Sequence, residues 1–271
     1  MTIKSVLKRL IPDKIRTSRY YLYYYLISFW NLLFAEKTIP DFKEVPIVIN
    51  NFNRVTYLKE LVDCFVKRGY RNIYIIDNNS TYPPLLEYYE ELKNSAIYVF
   101  RLKENLGFTA FTKSGIYKRF KNKFFVYTDS DIFIPEDCPE DFIEHFYEIL
   151  VNTPYTAKVG CALRIDDLPD CYAMKKQVIE WESRFWQKSI GDDKYIAVID
   201  TTLALYKPNF RVGIDYTGNR IRVAGKYTCK HQPWYIDSGN LSDEELYYIE
   251  SANQSTFWTK LNKKRDSSSG L

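Results

Sequence analysis

The sequence predicts an α/β fold whose mainly parallel sheet is covered by helices on both faces. Short β-rich apolar runs recur from Val45 onward, separated by stretches with apolar residues at helical spacing. The first, second and fourth of these runs pass directly into a polar cluster, as strands feeding ligand-binding loops do. Composition agrees: 271 residues with 46% hydrophobic and 17% aromatic content at a net charge of +4 can bury a real core, which excludes intrinsic disorder.

The elements follow in chain order. Val45–Ile49 reads as a buried strand, and 57–66 places its apolar residues on one helical face. Asn72–Ile76 is a second strand, about 83–93 a second helix, and Ala96–Phe100 a third strand. A helix over about 108–121 precedes the strand Phe124–Tyr127. Right-handed crossovers between these strands place helices on both faces. Beyond Asp131 the pattern gives a helix at 139–151, a strand at 157–164, an amphipathic helix near 173–188, and a strand or strand pair at 195–199 and 202–206. Ser242-Asp-Glu-Glu245 is a capping box opening a last helix to about Lys260, and 263–271 reads as a frayed tail. The domain plan is therefore a helical arm over 1–40, one domain over 41–262 with halves at 45–135 and 136–262, and the tail.

Charge is concentrated in the arm. Residues 1–37 hold seven basic side chains against Asp13 and Glu36, a surplus of five, so the remainder is close to neutral. That balance disfavours nucleic acid, which wants basic surface across the whole domain. After the basic residues come sixteen uncharged ones, Tyr20–Ala35, rich in Tyr, Leu and Phe. At 1.5 Å per residue they reach about 24 Å, short of the roughly 30 Å hydrocarbon core. Aromatic residues favour the headgroup level and Lys/Arg favour anionic lipid, so the arm is expected to lie on an anionic membrane surface, or else on the protein's own core or a partner subunit. The expected location is cytoplasmic, on the inner face of the cell membrane. The five cysteines are odd in number and never form Cys-x-x-Cys, which reads as free thiols in a reducing compartment.

Three polar clusters fall at strand ends and converge on one rim: Asn50-Asn51-Phe52-Asn53-Arg54, Asp77-Asn78-Asn79-Ser80 and Asp129-Ser130-Asp131. Asp129-x-Asp131 supplies hard oxygen ligands suited to Mg2+ or Mn2+, which share their remaining positions with phosphate oxygens; its plainer reading is an Asx turn. Asp77 stands where a carboxylate accepts a base N–H or ribose hydroxyls, or caps a turn. Asn105-Leu-Gly107 opens the third helix, with Gly107 permitting close backbone approach or simply a turn.

These motifs, Pro46–Arg54, Asp77–Thr81, Asn105–Gly107 and Thr128–Asp131, stand in the order and at roughly the spacing of glycosyltransferase family 2, which the chain resembles from about Val45 to Pro135. The resemblance implies a GT-A fold, a nucleotide-sugar donor (a UDP-sugar is favoured) and a divalent metal, Mn2+ or Mg2+, held by Asp-x-Asp. It assigns Asp77 to the base, Asn53 to the loop beside the nucleotide, Asp129 to the ribose and Asp131 to the metal. Thr112-Lys113 replaces the Arg-Asn pair usual there, leaving Lys113 as the cation near the diphosphate. The Glu-Asp pair that supplies the base of inverting members is missing, which leaves the stereochemical outcome open.

In the second half, Asp200 lies within an apolar strand region and is the candidate general base, or a ligand for acceptor hydroxyls. The segment around His231 resembles the C-terminal His segment that closes over the nucleotide in GT-A enzymes, making His231 a third metal ligand or a donor to the diphosphate. The expected function is metal-dependent transfer of a sugar from a nucleotide-sugar to a hydroxyl of a saccharide or lipid-linked acceptor, by family analogy in bacterial surface-polysaccharide synthesis. Asp-x-Asp after a strand also suits a haloacid dehalogenase-type phosphatase, but the motif comes late in the chain. A sugar nucleotidyltransferase lacks its Gly-rich loop here, and a non-catalytic membrane-surface module is the third alternative.

Overall fold

The computed structural model describes residues 13–200, 202–210 and 219–252, with side chains from residue 22 onward. Helix α1 (Asp13–Phe34) precedes the strands β1 (Ile47–Asn51), β2 (Ile73–Asp77), β3 (Tyr98–Arg101) and β4 (Phe125–Asp129). Helices α2 (Thr56–Lys67) and α3 (Pro83–Leu92) form the first two crossovers. Leu58, Leu61, Val62 and Phe65 give α2 an apolar face that packs on the sheet. The third connection departs from the expected long helix. It breaks into a 3-10 turn at Gly107–Thr109, α4 (Ala110–Lys113) and a second 3-10 turn at Ile116–Arg119. Gly115 sits at φ 81°, a left-handed conformation that interrupts the helix.

The second half continues with β5 (Ile132–Phe133), α5 (Phe142–Asn152), β6 (Thr156–Cys161), α6 (Lys175–Ser183), β7 (Lys194–Ile196), β8 (Ala204–Tyr206), β9 (Asn219–Val223), β10 (Lys230–His231) and α7 (Asp243–Ser251). One eight-stranded sheet spans both halves in the order β3-β2-β1-β4-β8-β6-β9-β7. Its pairings are parallel among β1–β4 and between β6 and β9, and antiparallel where β8 joins β4 to β6 and β7 joins β9. The two runs expected as one strand or a pair thus become separate strands, β8 in the middle of the sheet and β7 at its edge. β8 fits tightly against β6, since a Cβ on Gly160 would stand 2.3 Å from the Leu203 carbonyl oxygen.

Alternation along the strands sorts the core into two layers. Ile47, Ile49, Ile73, Ile75 and Val126 face α2, α3 and α5, whereas Val48, Ile76, Phe125 and Tyr127 face α4 and its flanking turns. Helix α1 sits at the far end of the sheet from the carboxyl tips of β1, β2 and β4. Tyr24 and Ile27 pack on Ala157 and Phe210, Asn31 donates to the Pro208 carbonyl at 2.7 Å, and Glu36 accepts from the Phe124 N–H at 2.9 Å. The arm therefore docks on the body through one face. The last helix ends at Ser251; the remainder of the expected helix and the 263–271 tail lie outside the described residues. All five cysteines are free thiols.

Candidate active site

The tips of β2, β1 and β4 end together, and register decides which polar side chain reaches which face. Asn50 pairs with Asp129, and Asn51 pairs with Asp77. Successive residues of a strand point to opposite faces, so Asp129 and Asp77 do as well. On the α4 face, Asn78 donates to Asn50 Oδ1 at 2.6 Å, and Asn50 donates to Asp129 Oδ1 at 3.0 Å. The result is a polar row, Asn78–Asn50–Asp129, across three strand tips. The Leu106 N–H donates to Asn78 Oδ1 at 3.2 Å, and the Gly107 N–H to Asn105 Oδ1 at 2.9 Å, so the Asn105–Gly107 loop is folded against this row. Gly107 is at φ 56°, which accounts for glycine there.

Asp77 is spent differently. Fully buried, it accepts from the Ser80 N–H at 3.2 and 3.3 Å, from the Tyr89 hydroxyl at 3.2 Å and from Arg101 Nε at 3.2 Å. Asn51 donates to the Tyr89 hydroxyl at 3.0 Å, completing a chain beneath the rim. Burial, then the Asp77 carboxylate, pushes the Tyr89 phenol well up, which keeps it a donor. The expected meeting of Asp77 with Asp129 is not what the register gives; the β2-tip residue that joins Asp129's row is Asn78.

A turn at Ser130-Asp131 swings Asp131 off β4. There β5 pairs antiparallel with β10, setting His231 opposite Ile132, and the Gln232 N–H donates to the Asp131 carbonyl at 2.9 Å. This ribbon brings His231 Nε2 to 3.4 Å from Asp131 Oδ2. Asp131 Oδ1 and His231 Nδ1 are buried with no hydrogen-bond partner. Burial pushes the Asp131 carboxyl up, but His231 and Arg54 more than offset it, and the group is held below the usual carboxylate range. A carboxylate beside an imidazole, each with an orphaned polar atom, is a donor set that fits Mn2+ or Mg2+ sharing its shell with phosphate oxygens. Asp129 does not join them, being turned to Asn50, and among the described residues no group of three or more His, Cys, Asp or Glu side chains is arranged to hold a metal ion.

The remaining expected residues divide between turn-making, packing and open surface. Asn53 and Asn79 adopt left-handed conformations at φ 48° and 62°, which asparagine tolerates well. Buried Asn53 accepts from the Thr81 and Tyr82 N–H groups at 2.8 and 3.0 Å and donates to Ser251 of α7 at 2.8 Å, while Asn79 is exposed. Arg54 is buried in a bidentate pair with Glu245 of α7, under the Tyr248 ring at 3.9 Å. Next to it, Glu244 accepts from the N–H groups of Val55 and Thr56 at 2.7 and 3.1 Å, capping α2 from a distant helix. Lys113 is exposed on α4. Asp200 is exposed between β7 and β8, close enough to Tyr127 to help raise its phenol, after burial, Asp129 and Tyr206. Trp234 is buried in the core against His231, with ring centroids 4.7 Å apart.

Sequence reasoning missed Asn50 and Asn78 as the residues linked to Asp129, although counting alternate positions from the buried Val48 would have found Asn50. It also missed Glu244 and Glu245, whose only signal was the capping box they belong to.

The model of glycosyl transferase family 2 matches residues 47–204, more than half of the chain, running from the start of β1 through β7 to the first residue of β8. The chain belongs to that family. Its mixed sheet with helices on both faces is the GT-A arrangement expected of a family 2 member. No curated protein matches the sequence. Among solved structures, the chain is similar to GalNAc-T7 crystallised with UDP, GalNAc and Mn2+ (TM-score 0.44, 14% identity, 83% of this chain and 54% of that one). It is also similar to TarS 1-349 of S. aureus (TM-score 0.39, 14% identity, 60% and 47%) and to the same protein in complex with UDP-GlcNAc (TM-score 0.35, 17% identity, 45% and 34%). The chain thus spans about half or less of the length of these structures.

Proposed function

We propose that the chain transfers a sugar from a nucleoside-diphosphate sugar, a UDP-sugar being favoured, to a hydroxyl of a saccharide or lipid-linked acceptor, with Mn2+ or Mg2+ as cofactor. The observation that carries the reading is the Asp131–His231 pair, poised beside the polar row of a family 2 rim with orphaned donor atoms on both side chains. Asp131 and His231 would hold the ion, which when bound neutralises charge developing on the leaving diphosphate. Asp129, held by Asn50 at the tip of β4, is the residue proposed to accept from ribose hydroxyls. Asp77 holds the β2 loop in shape through Ser80 and Arg101, and a nucleobase reaches it only by displacing Arg101, which is half-exposed. Asp200, exposed between β7 and β8, is the base proposed for the acceptor hydroxyl. Family analogy supports a setting in bacterial surface-polysaccharide synthesis.

The test is a panel of nucleotide sugars with Mn2+ or EDTA, read as donor hydrolysis and as nucleotide-dependent thermal stabilisation. Metal-dependent stabilisation by one nucleoside diphosphate supports the proposal; indifference to every donor and to metal contradicts it.

A further inference from the structure

Helix α1 has its faces the wrong way round for a surface helix. The side turned to the body holds Tyr24, Ile27 and Asn31. The opposite side carries Leu22, Leu26, Phe29 and Leu33, between 56% and 64% exposed, with Trp30 at its margin. At 100° per residue these four fall within about 60° of one another, diametrically across from the docked face. An ordinary amphipathic helix covers its apolar stripe and solvates the other side; here the stripe is what remains uncovered after docking.

We infer that this outward face lies in the headgroup region of an anionic membrane surface. Charge selects the occupant: the stretch before the stripe holds six basic residues, Lys4 to Arg19, against Asp13 alone. A second copy of the chain placed on the same stripe would bring two such basic segments together, which repulsion opposes. Tyr and Trp at the margins suit the lipid interface, and no described helix is long and apolar enough to cross a membrane. Because α1 docks at the amino ends of β4 and β6, the surface it grips lies at the opposite end of the sheet from the rim, about 17 Å away along five-residue strands. The inference does not depend on the catalytic reading.

The experiment floats the full chain with vesicles of equal parts phosphatidylcholine and phosphatidylglycerol, and with phosphatidylcholine alone, at low and high salt. The chain is expected to partition onto the anionic vesicles, less so at high salt, with a blue-shifted emission that Trp30→Phe removes. The triple variant Leu26→Gln, Phe29→Gln, Leu33→Gln, which changes no side chain packed on the body, should lose at least about ten-fold in partitioning at an unchanged unfolding midpoint. Failure to bind anionic vesicles, wild-type binding by the triple variant, or a stable dimer that the triple variant dissolves would each overturn the inference.

Discussion

The tips of β2, β1 and β4 and the C-terminal segment from 219 to 252 contribute to one rim by different means. The tips are set by neighbours: three parallel strands in fixed register place Asn78, Asn50 and Asp129 in hydrogen-bond contact. The C-terminal residues arrive from some 100 to 190 positions away and are held by specific clamps, the β5–β10 ribbon for His231 and the Arg54–Glu245 pair for α7. Backbone pairing makes the first region robust to side-chain change. The second depends on a few buried charges, and losing one leaves its partner stranded.

The largest expected effect follows from that contrast. Glu245→Ala strands the buried Arg54 guanidinium and should destabilise the fold by about 3–5 kcal/mol. Adding Arg54→Met should recover part of the loss; denaturant unfolding in which the double variant is no better than the single would refute the clamp. Asn53→Ala removes three hydrogen bonds at a left-handed position and should cost about 2 kcal/mol, read the same way. At the strand tips, Asn50→Ala should leave unfolding within about 1 kcal/mol of wild type yet weaken nucleotide binding roughly ten-fold, because Asp129 loses its positioning donor. A fall in stability with intact binding would reverse the assignment of the two regions.

A pH-dependent effect concerns the docked arm. Burial pulls Lys207, beneath Tyr24, down to about 8 from its ordinary 10.5. The unfolded chain then binds more protons between pH 8 and 10.5, so this group's contribution to stability rises with pH across that window and is a constant penalty below it. Lys207→Met should therefore be more stable than wild type at pH 7, with the difference shrinking as pH climbs past 8; a gap independent of pH would contradict the burial of that ammonium.

What was legible in the sequence was local. Alternating strands and helices, and the polar ends of β1, β2 and β4, follow from periodicity, and four spaced motifs pointed to the family. The face each residue occupies was less legible, since it needs register as well as strand identity: Asn51 and Asp77 fell on the side away from Asp129 because pairing begins at Ile47↔Ile73 and Ile47↔Val126. Gly115 broke a helix that composition alone supports. The partners of Arg54 and Asp131 differed in legibility, for His231 was already a candidate ligand beside Asp131 through its resembling C-terminal segment, while Glu245 looked only like a capping residue.

The central claim is tested most directly by titrating UDP into the wild-type chain and into Asp131→Asn, each with Mn2+ and with EDTA. The account predicts that Mn2+ tightens UDP binding at least about ten-fold in the wild type and has no effect in the variant, at equal unfolding midpoints. Equal UDP affinity with and without metal in the wild type, or metal-dependent binding that survives in the variant, would contradict it.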